Sequence, residues 1–122
     1  MKTIVYAVFL TMFAFTAAAQ THDWKKSESG EWKVKKDNKV LSYKIDTDCL
    51  VWSSADGKKW DAVAKNMWTD YEGNVYRVQA KMFFVSTDGG TTWDNTPNAT
   101  WHGGDGMWYK FDDTWGLWVS QQ

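Results

Sequence analysis

The sequence predicts an all-β fold, a small antiparallel meander of tandem β-hairpins. After Thr21 the apolar residues alternate over four to six positions, and no helical stripe of useful length appears. Gly, Asn and Asp interrupt the alternating runs, and the dipeptides Asp56-Gly57 and Gly89-Gly90 are strong hairpin signals. We therefore expect roughly nine to eleven short strands joined by tight turns.

An internal repeat organises the middle of the chain. Residues 51–78 align with residues 84–111 when the chain is shifted against itself by 33 positions. The identical pairs are Ser53/Ser86, Gly57/Gly90, Trp60/Trp93, Asp61/Asp94, Trp68/Trp101, Gly73/Gly106 and Tyr76/Tyr109. A regular repeat of Trp and Gly indicates a duplicated supersecondary unit. The hairpins could close as a barrel, stack as a sandwich, or form a partial propeller.

The alternation also predicts individual elements and their buried faces. A first hairpin is expected over Trp24–Val34, around Ser29-Gly30. The later strands are expected at Val40–Ile45, Cys49–Ser53, Lys59–Ala64, Met67–Asp70, Val75–Ala80, Lys81–Ser86, Thr92–Asn95, Trp101–Gly103, Met107–Phe111 and Trp115–Val119. Residues that recur at the same repeat positions should form the core. These are Tyr76, Val78, Tyr109 and Phe111.

The N-terminus has the pattern of a signal peptide. Lys2 precedes the apolar run Ile4–Phe15, and Ala17-Ala18-Ala19 offers small residues for cleavage before Gln20. Residues 1–19 are thus the predicted signal peptide, and residues 20–122 form a single all-β repeat domain. We expect a secreted or periplasmic protein with no membrane span after signal cleavage.

Composition excludes several classes of function. The formal net charge of −1 argues against nucleic acid, whose binding needs a concentrated basic surface. Cys49 is the only cysteine, so no disulfide forms within the chain. The stretches Asp46–Asp48 and Gly103–Gly106 offer oxygen atoms, but neither fits an EF-hand loop. The sequence therefore predicts no metal and no cofactor.

The stretch Ser86–Trp93 reads S-x-D-x-G-x-T-W and resembles the Asp-box (BNR) hairpin of sialidases and other extracellular β-propellers. Ser54–Trp60 is a shorter version of it. In that family the box is a structural turn, so the resemblance implies a hairpin whose Asp binds its own backbone and whose Trp packs across it. Sialidases bind their substrate with three arginines. Arg77 is the only arginine here, which excludes that activity.

The second half of each repeat resembles short lectin-propeller repeats of the tectonin-like kind. The two copies are Trp68-x4-Gly73-x2-Tyr76 and Trp101-x4-Gly106-x2-Tyr109. This resemblance implies a lectin-like fold, which in such families is sometimes assembled from several small chains.

The abundance of tryptophan suggests the function. Ten Trp, with Tyr and Phe besides, exceed what one small core can hold, so several should lie at the surface and bind something. Aromatic rings beside Asp, Asn and Lys suit sugars, whose C–H faces stack while their hydroxyls form hydrogen bonds. Strand parity favours Trp108 and Trp118 as ligand-binding residues, followed by Trp52, Trp68 and Trp101.

An enzyme is disfavoured. His22 and His102 are the only histidines, and no motif supports a nucleophile beside either. A small glycosidase would need two carboxylates facing each other in a cleft. We therefore expect a secreted, non-catalytic, lectin-like domain that binds a glycan or polysaccharide through surface Trp and Tyr. The alternative is an exported protein-interaction module, such as an inhibitor or a surface-assembly component, with a protein partner or a homo-oligomer.

Overall fold

A computed structural model describes residues 22–121, and these residues are almost entirely β-structure. The predicted signal peptide lies outside the described residues. The strands, in chain order, are β1 Lys25–Lys26, β2 Glu31–Lys36, β3 Lys39–Ile45, β4 Val51–Ser54, β5 Asp61–Ala62, β6 Met67–Thr69, β7 Val75–Gln79, β8 Met82–Ser86, β9 Asp94–Asn95, β10 Thr100–His102, β11 Trp108–Phe111 and β12 Leu117–Ser120. One short 3₁₀ turn, Ala64–Asn66, precedes β6. The all-β prediction is confirmed.

The strands form three antiparallel sheets of four strands each. Counted outward from the innermost strand, the first sheet has the order β2-β3-β4-β5, the second β6-β7-β8-β9, and the third β10-β11-β12-β1. Neighbouring strands are consecutive in the chain, as expected of a meander of hairpins, except that β1 lies beside β12 in the third sheet. No sheet closes into a barrel, so the barrel alternative is excluded for residues 22–121.

The first strand of the chain pairs with the last strand and completes the third sheet. β1 pairs with β12, with Lys25 opposite Val119 and Lys26 opposite Trp118. The predicted hairpin over Trp24–Val34 is therefore wrong. At its expected turn, Ser27 Oγ accepts a hydrogen bond from Gly30 N–H at 3.0 Å, and the chain leaves the edge of the third sheet to begin the first.

Three tryptophans form the centre of the molecule. Trp32, Trp68 and Trp101 lie on the first strands of the three sheets, and their exposed fractions are 0%, 3% and 1%. Their ring centroids are 4.9 Å apart for Trp32–Trp68, 5.7 Å for Trp32–Trp101 and 5.5 Å for Trp68–Trp101. Large rings in tilted and edge-on contact contribute burial together with specific geometry. This cluster gives the small domain its core without a disulfide.

Backbone hydrogen bonds between neighbouring sheets follow one pattern. Tyr71 N–H of the second sheet donates to His102 O of the third at 2.8 Å, and Gly104 N–H of the third donates to Lys33 O of the first at 2.9 Å. Each donor stands three residues after a central Trp, and each acceptor one residue after the next. A Cβ added to Gly104 would lie 2.4 Å from Lys35 N, so this junction requires glycine. The three sheets thus have an approximate threefold relation.

The repeat is therefore threefold, although the sequence alignment shows two copies. Tyr43, Tyr76 and Tyr109 recur every 33 residues and are all buried. In the first copy, more residues separate the central Trp from the Tyr than in the other two copies. A constant shift of the sequence therefore does not align the first copy with the others. The aligned units 51–78 and 84–111 each begin in the third strand of one sheet and end in the second strand of the next.

Buried Ser residues end the third strand of every sheet. Ser54 Oγ accepts a hydrogen bond from Gly57 N–H, and Ser86 Oγ accepts one from Gly90 N–H, both at 2.8 Å. Ser120 is the third member, and its Oγ accepts from Asp23 N–H at 3.2 Å, across the two ends of the chain. The N-terminal segment therefore replaces, in the third sheet, the loop that follows Ser54 and Ser86.

Candidate ligand-binding groove

Each sheet places one cation on the face of one indole. The cation directly follows the buried Tyr of the second strand, and the Trp directly precedes the outermost strand. The pairs are Lys44 over Trp60 at 4.1 Å, Arg77 over Trp93 at 4.2 Å and Lys110 over Trp24 at 4.7 Å from the ring centroid. Alternation along a strand explains the placement, since a residue beside a buried Tyr points to the opposite face of the sheet. The outer faces thus carry three equivalent cation–indole pairs.

A second aromatic ring lies beside each of these cations. On the third strand, directly opposite the cation, stands Trp52 in the first sheet, Phe84 in the second and Trp118 in the third. Each of the two indoles, Trp52 and Trp118, donates a hydrogen bond to a carboxylate. Trp118 Nε1 donates to Asp112 Oδ2 and Trp52 Nε1 donates to Asp46 Oδ2, each at 2.9 Å. The hydrogen bond holds each ring in one orientation.

An open groove of about 510 Å³ lies on the third sheet. Two indoles, Trp24 and Trp118, contribute to its wall. Its other lining residues are His22, Asn98, Thr100, Lys110, Phe111, Asp112 and Asp113. The volume falls in the range of small-ligand sites, and the lining combines aromatic faces with a few hydrogen-bonding groups.

Asp112 determines the electrostatics of this groove. Its pKa is held well below the usual range, first by the hydrogen bond from Trp118 and also by the backbone N–H groups of Gly116 and Thr114. Lys26 Nζ lies 3.1 Å from Asp112 Oδ2 and adds an ion pair. Asp112 is therefore ionised at neutral pH and is occupied as a hydrogen-bond acceptor, which suits a positioning role.

A run of aromatic rings in contact extends from the groove across one end of the third sheet. His22 lies 5.1 Å from Trp24 and 5.2 Å from Trp108, measured between ring centroids. Trp108 stacks on His102 at 4.5 Å, and His102 contacts Tyr71 at 4.8 Å. We call these five residues the aromatic ladder. His102 Nδ1 is also 2.9 Å from Glu72 Oε2, and Tyr71, 60% exposed, forms the outer end of the ladder.

The predicted binding residues have different positions in the structure. Trp118 lines the groove, and Trp108 lies behind it in the ladder, between the two histidines. Trp52 is half-buried at the equivalent place on the first sheet. Trp68 and Trp101 belong to the buried centre, so the expectation that they lie at the surface is wrong. Their strands are innermost, and each Trp points into the core, whereas Thr69 and Thr100 beside them are exposed on the opposite face.

Sequence reasoning missed the partners of Trp118. Trp24 was assigned to the first hairpin, His22 was considered only as a catalytic histidine, and Asn98 was not singled out as a binding residue. One signal was available. Lys44, Arg77 and Lys110 recur at the same 33-residue interval as the tyrosines, and each has a Trp just before the outermost strand of its sheet. The interval marks the three cations and the pair Trp60/Trp93, but Trp24 lies outside it, at the other end of the chain from Lys110.

Comparison with protein-family models, curated proteins and solved structures finds no match for this chain. Between residues 22 and 121, no group of three or more His, Cys, Asp or Glu side chains is placed to hold a metal ion. The same residues include no helix with the length and apolar character needed to cross a membrane.

Proposed function

We propose that this chain is a non-catalytic carbohydrate-binding protein whose ligand lies in the groove of the third sheet, and that it acts outside the cytoplasm after removal of residues 1–19. The observation that carries the proposal is the presence of two indoles, Trp24 and Trp118, in the lining of one groove together with amide, hydroxyl, ammonium and carboxylate groups. A sugar ring presents apolar C–H faces and a rim of hydroxyls, and the groove offers partners for both.

Preorganisation supports this proposal. The Trp118 ring is fixed by Asp112, and Trp24 is in contact with both Lys110 and His22. Rings that are ordered before binding lose little conformational entropy when a ligand arrives. Asn98 and Thr100 add neutral hydrogen-bonding groups at the groove. Such an arrangement favours a polar ligand with flat apolar faces over a purely apolar one.

Affinity electrophoresis and pull-down against a set of soluble and insoluble polysaccharides test the proposal. Truncation of one aromatic anchor at a binding site typically costs about 1–3 kcal/mol, so Trp24→Ala and Trp118→Ala should each weaken binding by about tenfold or more. Trp60→Ala is the matched control, because Trp60 has the position of Trp24 on the first sheet, outside the groove.

Two results would overturn the proposal. One is the absence of binding to any polysaccharide; the other is an equal loss of binding in all three variants. A protein that binds no glycan but elutes with a partner protein would instead support the alternative of an exported protein-interaction module.

A further inference from the structure

We infer that Arg77 and Trp93, on the second sheet, form a separate binding site that recognises the acidic group of a glycan, either a carboxylate or a sulfate. This inference rests on the proposed function and adds the chemical class of the ligand. The proposed site lies on a different sheet from the groove. It depends on one guanidinium, which forms no hydrogen bond with any of residues 22–121.

Arg77 has no acidic partner. The ion pairs found among residues 22–121 join Lys26 to Asp112, Lys33 to Glu31, and His102 to Glu72. Arg77 belongs to none of them and forms no side-chain hydrogen bond with any residue in that range. Its Nε–H is buried without a partner. An arginine carries five N–H donors and stays charged at every physiological pH, and a buried donor without a partner costs free energy.

Two aromatic rings hold this guanidinium in place. Its central carbon lies 4.2 Å from the Trp93 ring centroid and 5.4 Å from that of Phe84. The rings remove part of the water from the guanidinium while offering it no hydrogen-bond acceptor. A partly desolvated, oriented guanidinium binds a planar or tetrahedral oxyanion in two-pronged fashion more strongly than a hydrated ammonium does.

The equivalent cations on the other sheets are different. On the first sheet, the pKa of Asp46 is lowered by hydrogen bonds from Leu50 N–H and the Trp52 indole, and to a lesser extent by the charge of Lys44. On the third sheet, Lys110 shares its groove with Asp112 and Asp113. On the second sheet, the connection between the second and third strands is the short turn Ala80-Lys81, which carries no acid. The turn beside the arginine thus carries no carboxylate, although Asp48 of the first sheet lines the same cavity as Arg77 without forming an ion pair with it.

The aromatic neighbours indicate that the acidic group belongs to a sugar. A free inorganic anion would need only the guanidinium and further donors. Phe84, directly opposite Arg77 on β8, instead offers an apolar surface beside the charge. A uronic or sulfated sugar fits both features, with its ring on the aromatic surface and its charged oxygens on Arg77.

Two matched pairs of polymers test the inference in binding titrations at fixed salt. Polygalacturonate is compared with its methyl-esterified form, and dextran sulfate with dextran, so that each pair differs in charge alone. The variants are Arg77→Gln, Arg77→Lys and Lys36→Gln. The last removes the same charge from an exposed site on the first sheet and is the control. Unfolding midpoints of all variants report whether the fold is retained.

The account predicts that at least one acidic polymer binds more tightly than its neutral counterpart. Loss of a two-pronged charged contact should weaken this binding about tenfold or more in Arg77→Gln, less in Arg77→Lys, and not in Lys36→Gln. The pair that shows the preference identifies carboxylate or sulfate. Equal affinity within both pairs, or an equal effect of Arg77→Gln and Lys36→Gln, overturns the inference. If neutral glycans still bind in a Trp118-dependent manner, the proposed function survives that failure; if no polymer of any kind binds, both fail.

Discussion

The indole Nε1 of Trp118 donates a hydrogen bond of 2.9 Å to Asp112 Oδ2. Asp112 Oδ1 meanwhile accepts from the backbone N–H groups of Thr114 and Gly116. One carboxylate therefore fixes both the turn before β12 and the ring beside the groove. Asp46 and Trp52 have the same relation on the first sheet, with 2.9 Å between Nε1 and Oδ2. This duplication provides an internal control for the function of the third sheet.

We predict that Asp112→Asn weakens glycan binding, whereas Asp46→Asn does not. Each substitution removes a charged acceptor from an indole and a turn, so each should lower the free energy of unfolding by about 1–3 kcal/mol. Only the substitution at Asp112 releases a ring of the groove. Denaturant unfolding and polysaccharide titration of the two variants separate the shared effect from the specific one. Equal loss of glycan affinity in both would show that the Trp118 ring is not held for binding.

The pH dependence of Trp118 should follow the protonation of Asp112. The pKa of this carboxyl is lowered from its ordinary value of 3.8 by the Trp118 hydrogen bond and the backbone N–H groups of the turn. Because the pKa is lower in the folded state, the stabilisation is complete above about pH 4 and is lost as the pH falls further. The Nε1–H signal of Trp118 in a nitrogen–proton spectrum should therefore be constant from neutral pH down to about pH 4 and shift below it.

Asp112→Asn provides the control for this titration. The variant cannot ionise at that position, so the acid-induced shift of the Trp118 signal should be reduced. A transition of this signal centred near neutral pH in the parent protein, or an unchanged acid transition in the variant, would contradict the assignment to Asp112.

The central cluster should dominate stability. Trp32 has an exposed fraction of 0% and contacts both Trp68 and Trp101. Large-to-small substitution of a buried aromatic residue typically costs about 3–5 kcal/mol, so Trp32→Ala should unfold much of the population of so small a domain. Val40→Ala, at a side chain that is 49% exposed, should change stability by less than about 0.5 kcal/mol. Comparable effects of the two substitutions would contradict the central position of Trp32.

The start of the chain should be needed for the third sheet. A protein that begins at Ser27 lacks β1 and Trp24, which leaves β12 as an exposed edge strand. Hydrogen exchange of the β12 amides should be faster than in a protein that begins at His22, because the paired edge no longer protects them. Amides of β7 in the second sheet should be much less affected. Equal protection of β12 in the two proteins would show that the β1 pairing contributes nothing to stability.

The class of fold and most strand positions could be predicted from the sequence, because alternation and turn dipeptides are local signals. The buried positions of Tyr76, Val78, Tyr109 and Phe111 were also correct, since the repeat identified them. Pairing between strands that are distant in the chain could not be predicted from the sequence. β1 contains two residues, Lys25 and Lys26, with no apolar alternation of its own, and its partner lies at the other end of the chain.

The candidate site was only partly predictable for the same reason. Strand parity distinguishes two faces but does not tell which strands are innermost, so Trp68 and Trp101 were expected at a surface and lie in the core. Parity did identify Trp118, which lines the groove. Trp24 reaches the groove through the pairing of the chain ends, a tertiary contact that a local pattern does not contain.

The central claim is that a glycan occupies the groove lined by Trp24 and Trp118. The most direct measurement is the nitrogen–proton spectrum of the ten indole groups during titration with a polysaccharide that the protein binds. The account predicts that the Nε1–H signals of Trp24 and Trp118 shift in a saturable manner, while those of the buried Trp32, Trp68 and Trp101 stay in place. Saturable binding that leaves the signals of Trp24 and Trp118 unchanged would contradict it.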